Sequence, residues 1–200
     1  MSDEGATPRE LLLEACRRNN TSLLHDLLSS LSSPAAITQL LNTATDGIGN
    51  YCLHVAASRG SYDALDMLLD QEGVEVDPID RLERDTPLHK AVRWINGLET
   101  GEWEGAATVV ELLLDAGSDP RFVLHDWNPG GRKTRGERAA DMRDRRIRNK
   151  AKLKAFELVD PRNTGLRSIL QKAEFANMAG ADVIDGDEDE GPTGSASDSE

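Results

Sequence analysis

Apolar residues along the chain fall into short groups at helical spacing, separated by polar or glycine-bearing turns. Leu23, Leu24, Leu27 and Leu28 share one helix face; Leu65, Met67, Leu68 and Leu69 repeat the arrangement, and Val109, Val110, Leu113 and Leu114 repeat it again. Each of these groups follows a shorter one that carries alanine: Ala15 and Cys16, then Leu53, Ala56 and Ala57, then Leu88, Ala91 and Val92. The unit is therefore a turn, a short Leu/Ala helix, a break, and a second helix ending in a leucine pair. Recurrence of such a unit predicts stacked helix pairs, each burying its apolar face against its neighbours.

The clearest copy reads Asp85-Thr86-Pro87-Leu88-His89-Lys90-Ala91-Val92, followed by Val109 to Pro120. Its Thr86-Pro87-Leu88-His89-x-Ala91 core resembles the signature of the ankyrin repeat. A second copy, Gly49 to Gly60, keeps Leu53-His54 and Ala56-Ala57 but has Tyr51-Cys52 in place of Thr-Pro, so a less sharply defined helix start is expected. Upstream, Thr7-Pro8-Arg9-Glu10 forms a capping box with proline at the first helical position, and the first copy is read as an N-terminal cap. A fourth copy is placed at Thr134 with Ala139-Ala140, where Arg135-Gly136-Glu137 replaces Pro-Leu-His. Ala15, Ala56, Ala91 and Ala139 are 41, 35 and 48 residues apart, so insertions lie between the copies, the largest at 95–105 with Trp103.

The resemblance implies an all-α ankyrin-repeat solenoid of about four helix-turn-helix repeats with β-hairpin fingers. The expected division is an ankyrin domain over 1–160 (cap 7–42, repeats 46–78, 80–121 and 128–160), a helical extension over 161–180 and a disordered acidic tail over 181–200. It further implies that His54 and His89 hold backbone groups around the turns and are structural. Leu53, Leu88 and the leucine pairs are expected to fill the layers between repeats, each contributing about 1.5–3 kcal/mol.

With 4% aromatic residues, the core must be built from Leu, Ala, Val and Ile. No apolar run approaches the roughly 20 residues of a membrane span, and the acidic N-terminus is unlike a signal peptide, so a cytoplasmic or nuclear protein is expected. Cys16 and Cys52 are expected as buried free thiols. The formal charge of −13 conceals a division. Arg132 to Lys154 contains eleven Lys or Arg against Glu137, Asp141 and Asp144, whereas Asp182 to Glu200 holds eight acids and no base. The basic segment allows three readings: a solvated terminal repeat, a nuclear-import cluster (Arg145, Arg146, Arg148, Lys150, Lys152, Lys154), or a phosphate-binding surface. Nucleic acid is the weakest of these, because aromatics for stacking are lacking before Phe156 and the acidic tail would compete with phosphate.

Signatures of catalysis are missing. Gly47-Ile48-Gly49 has Cys52 at the third glycine position of a dinucleotide fingerprint, and Gly130-Gly131-Arg132-Lys133-Thr134 departs from a phosphate loop. The cysteines and histidines lie too far apart for a zinc set, so no metal, cofactor or enzymatic activity is expected.

Function is therefore sought in a surface. In ankyrin arrays the concave face is made from finger tips and the positions just after the alanine pair. Here these are Arg17 and Arg18, Ser58 and Arg59, Arg93 and Trp94, and Asp141 and Met142, with Ile48, Asn50, Leu82, Glu83 and Asp85 at the fingers. Arginine and tryptophan are enriched at interface hot spots, and the expected partner is another protein held by a monomer. Two readings stand. One is a regulatory adaptor or scaffold subunit that grips a folded partner, with the tail as solubiliser. The other is an escort chaperone of a basic, ribosomal-protein- or histone-like client, whose layout is similar to small acid-tailed ankyrin-repeat chaperones. Ser195 and Ser197, each three residues before an acid, are candidate phosphorylation sites.

Overall fold

A computed structural model describes residues 5–121, 151 and 153–179. Helices α1 (Pro8–Arg18) and α2 (Thr21–Ser30) form the first pair, and α3 (Pro34–Thr43) follows as an addition. Helices α4 (Cys52–Ala57) and α5 (Tyr62–Leu69) form the second pair. Helices α6 (Pro87–Asn96) and α8 (Thr108–Asp115) form the third, with the short α7 (Trp103–Ala106) between them. Helices α9 (Ala155–Leu158) and α10 (Thr164–Ala179) close the array. First helices stack in the order α1, α4, α6, α9, while the second helices α2, α5 and α8 stack behind them, as the repeat pattern predicts.

The helix starts follow from local chemistry. Thr7 and Glu10 form the reciprocal capping box, with the Glu10 amide donating to Thr7 Oγ1 at 3.3 Å and the Thr7 amide to Glu10 Oε2 at 2.8 Å. Thr86 accepts from the His89 amide, with Pro87 at the first helical position. Tyr51 supplies no side-chain cap to α4, in line with the departure from Thr-Pro there. A missing cap of this type costs about 1 kcal/mol, and packing holds the helix instead: all six residues of α4 are buried.

The layers between repeats are filled by Leu12, Leu53 and Leu88 from the first helices and Leu24, Leu65, Leu68 and Leu113 from the second, none more than 1% exposed. Ala15, Ala56 and Ala91 are fully buried where the first helices pass close to one another. Cys16 and Cys52 are free thiols within the same core, as expected, and burial raises both thiols, Cys52 to about 12.

Fingers occur as tight turns; among the described residues there is no strand, only an antiparallel bridge between Thr45 and Tyr51. Asp46 closes the first finger by accepting from the Ile48 and Asn50 amides at 3.0 and 2.9 Å. Asp80 closes the second in the same way, accepting from Glu83 at 2.7 Å and Arg84 at 2.9 Å.

Each histidine does more than brace its own turn. Nδ1 of His54 accepts from the Tyr51 amide at 3.3 Å, so the proton sits on Nε2, which donates to the Asp85 carbonyl of the next repeat at 2.8 Å. His89 repeats this: Nδ1 accepts from the Thr86 amide and hydroxyl, and Nε2 donates to the Leu153 carbonyl at 3.1 Å. That last bond sets the register of the final unit. The segment docked on α6 is 153–158, with Lys154 preceding α9, whereas Thr134 and Ala139-Ala140, where a fourth copy is expected from sequence, lie outside the described residues.

Both insertions are built in. Thr38 and Asn42 of α3 donate to the Glu72 and Gly73 carbonyls at 2.8 and 2.9 Å, tying α3 to the loop after α5. In the insertion after α6, Trp103 is buried and its indole donates to the Leu98 carbonyl at 3.3 Å.

Leu88→Ala, at the centre of the third layer, is expected to lower unfolding free energy by about 2–5 kcal/mol in a urea titration. His54 gives a pH signature. Burial, together with two partners that fit only the neutral ring, lowers it to about 4 from the ordinary value of about 6.5. The unfolded chain then binds the extra proton first, so this contribution is complete above about pH 6.5 and is lost as pH falls toward 4, roughly 3 kcal/mol in all. Asp77, raised by burial to about 6, acts with the opposite sign as pH falls. The measurement is therefore the stability difference between wild type and His54→Gln, which is expected to shrink from pH 7 to pH 4.

Candidate functional site

The face expected to bind a partner comprises the exposed ends of the first helices and the two fingers. Its cations differ in how much charge they leave available. Arg17 and Arg18 both pair with Glu14, Arg17 at 2.9 Å, because positions three and four apart on α1 share a face. Arg93 turns toward the core side of the finger, its Nε donating to Asp85 Oδ2 at 2.8 Å, and its side chain is 44% exposed. Arg59 is exposed and has no ion-pair partner among the described residues. Ser58 beside it is exposed, but its hydroxyl donates to the Val55 carbonyl at 3.0 Å.

Trp94 lies across Gly60 of the preceding repeat. Gly60 has φ +63°, and a Cβ there would stand 2.1 Å from the Trp94 ring. Glycine is required both by the left-handed backbone and by the indole pressed on it. The ring is left half-buried, and the residue before Gly60 in the chain is the exposed Arg59.

At the finger end, Ile48 and Leu82 are 57% and 53% exposed. Asn50 belongs inside the turn instead: its amide and Nδ2 both reach Asp46, each at 2.9 Å. Asp85, expected near the tip, is fully buried and faces Lys90 at 3.3 Å as well as Arg93. Lys90 also reaches Asp80 Oδ2 at 2.6 Å. Burial pushes Asp80 up, but Lys90 and the turn amides outweigh it and hold the carboxyl below its usual range. Two buried carboxylates and a largely buried lysine thus form a cluster under the second finger, closed on its outer side by the half-exposed Arg93.

Two open grooves flank the fingers. One, of about 670 Å³, runs between α1 and the first finger past Thr7, Leu13, Arg17 and Gly47; the other, of about 600 Å³, lies between Arg9, the first finger and Arg81. Arg9 and Arg81 escape a search based on the position after the alanine pair, because one sits in a capping box and the other inside a turn.

Of the basic cluster, Lys154 pairs with Glu174 at 3.3 Å and its amide is capped by Glu157 at 2.7 Å. Arg145, Arg146, Arg148, Lys150 and Lys152 lie outside the described residues, as do Asp141, Met142, Ser195 and Ser197. Among the described residues, no group of His, Cys, Asp and Glu is placed to hold a metal ion, and no helix is long and apolar enough to cross a membrane.

Comparison with known proteins agrees with this architecture. A yeast protein, the ankyrin repeat-containing protein YGL242C of Saccharomyces cerevisiae, is 40% identical over 123 residues, covering 60% of this chain and 66% of the relative. Residues 12–123 match the family profile described as ankyrin repeats in three copies. This span runs from the first helix pair to the end of the third, and the chain belongs to the ankyrin-repeat family.

Proposed function

We propose that this protein holds one specific protein partner on its concave face, centred on Arg59 and Trp94 and rimmed by Ile48 and Leu82. Ankyrin repeats are non-catalytic modules of protein–protein interaction, and a protein partner follows from the family. The observation that carries the choice of face is the half-buried Trp94 packed over Gly60, whose chain neighbour Arg59 is exposed and has no ion-pair partner among the described residues. The indole is already ordered by its seat over Gly60 and so loses little entropy on binding, and Trp and Arg are the residue types enriched at hot spots.

Escort of a basic client is the finer reading, and it rests on the segment from Asp182 to Glu200 with its eight acids. In this reading the solenoid grips the client while the acidic segment occupies a surface that would otherwise meet nucleic acid. The cations of the concave face favour the adaptor alternative, in which the partner offers acidic groups. Nuclear import through 145–154 and phosphorylation at Ser195 and Ser197 remain companion proposals; each phosphate would add about −1.5 to −2 charge to the tail.

Arg59→Glu is expected to weaken capture of the cellular partner by at least about tenfold with an unchanged circular-dichroism spectrum. Trp94→Ala is expected to do the same and also to cost roughly 1–2 kcal/mol of stability, since half of the ring is packed. Unchanged capture by both variants would move the site off this face. For the tail, affinity pull-downs compare the full chain with one ending at Gly180. Loss of basic clients on truncation at low salt, with the difference fading at high salt, is the escort result; equal recovery at every salt concentration leaves the adaptor.

A further inference from the structure

Helix α1 starts at the Thr7 capping box and lies beside the first finger, with Arg9 reaching Thr45. The groove of about 600 Å³ opens there, lined by Arg9, Thr43, Thr45, Tyr51, Ile79 and Arg81 along with the finger residues Asp46, Gly47 and Gly49. Its walls are hydroxyl-rich and cationic. Arg9 is pinned over the finger by its Nε, which donates to the Thr45 carbonyl at 2.6 Å, and this leaves the outer nitrogens of the guanidinium available. Arg81 is set from the opposite side. Its amide donates to the Gly49 carbonyl at 3.3 Å, and Gly49, at φ +90°, would place a Cβ 2.4 Å from Arg81 Cβ. Only glycine lets the arginine stem pass this close.

Neither guanidinium has an ion-pair partner among the described residues. The only carboxylate in the lining is Asp46, and its oxygens already accept from the Ile48 and Asn50 amides and from Asn50 Nδ2. The groove therefore carries two open forks against one satisfied acid, next to the exposed Ile48 and Leu82. A fork of this kind suits planar bidentate acceptors.

We propose that Arg9 and Arg81 form a carboxylate subsite that takes an acidic side chain from an extended segment of the partner, with apolar neighbours of that acid resting on Ile48 and Leu82. The subsite rests on the partner-holding reading and adds the chemistry of what is held. It selects an acidic segment over a basic one at this end of the face.

The test is fluorescence anisotropy with a labelled hexapeptide of alternating Glu and Leu, titrated with the full chain at low and at physiological salt. The Glu peptide is expected to bind, more weakly as salt rises. Arg81→Gln is expected to lose at least about tenfold, and Arg81→Lys to retain part of the affinity, with helical content unchanged in both. Equal binding of a Gln-Leu peptide, unchanged binding by Arg81→Gln, or displacement by a DNA oligonucleotide as effective as by unlabelled Glu peptide would each overturn the subsite. Arg59→Glu separates the two ideas. If Arg59→Glu and Trp94→Ala both still capture the partner, the Arg59–Trp94 reading falls, while loss of the Glu peptide in Arg81→Gln alone still upholds this site.

Discussion

The hydrogen bond from His54 to the Asp85 carbonyl, repeated from His89 to the Leu153 carbonyl, is the constraint on which the rest of the array depends. A buried imidazole must satisfy both nitrogens, and here one is satisfied within its own repeat and the other only by the next. Neighbouring repeats are therefore fixed in rotation as well as pressed together. Hydrophobic burial between Leu53, Leu88 and their neighbours supplies the driving force, but it is non-directional and would tolerate sliding. The histidine bond is directional, and it sets the height of each finger relative to the last. The ends of the array lack this reciprocity on one side, which is the usual condition of terminal repeats.

From this register follows the electrostatics. Holding Asp85 under the finger brings it against Lys90 and Arg93, and it brings Asp80 to Lys90 from the turn. Buried charges must be paired, and breaking such a pair is far more costly than its net contribution to stability. The second finger is thus braced from beneath, while its tip, with Arg81 and Leu82, stays in solvent. The same geometry divides the concave cations into two populations. Arg17, Arg18 and Arg93 are paired with acids of their own chain, whereas Arg9, Arg59 and Arg81 have no ion-pair partner among the described residues. The proposal of recognition by the second population follows from this, because a cation already paired gives up one partner to gain another.

The insertions brace the loops after the second helix of the second pair and the first helix of the third. Helix α3 ties down the loop after α5 through Thr38 and Asn42, and Trp103 closes the loop after α6 while Arg162 lies 5.8 Å over its ring. Asn96 does similar work at the last interface, donating to the Leu158 carbonyl at 2.7 Å and accepting from the Asp160 amide at 3.1 Å. Departures from the repeat length are therefore accommodated by side-chain bonds to exposed backbone groups, and the stacked layers are left undisturbed.

By itself the sequence determined the solenoid, the three N-terminal repeats, the capping box at Thr7, the buried thiols and the structural role of His54 and His89. These follow from short-range spacing, which is local and survives any tertiary arrangement. Only the tertiary structure decided which residues of the face are available. Asn50 and Asp85 share the sequence neighbourhood of the tips, yet one is taken up by Asp46 and the other is buried with Lys90 and Arg93. Trp94 rests on Gly60, 34 residues earlier, and Arg9 meets the first finger through Thr45, 36 residues later. Contacts at such separations leave no periodic trace, because each depends on two repeats being docked in one register. The docking of 153–158 on α6 has the same origin: a carbonyl that accepts from His89 needs backbone geometry alone, and no side-chain motif announces it.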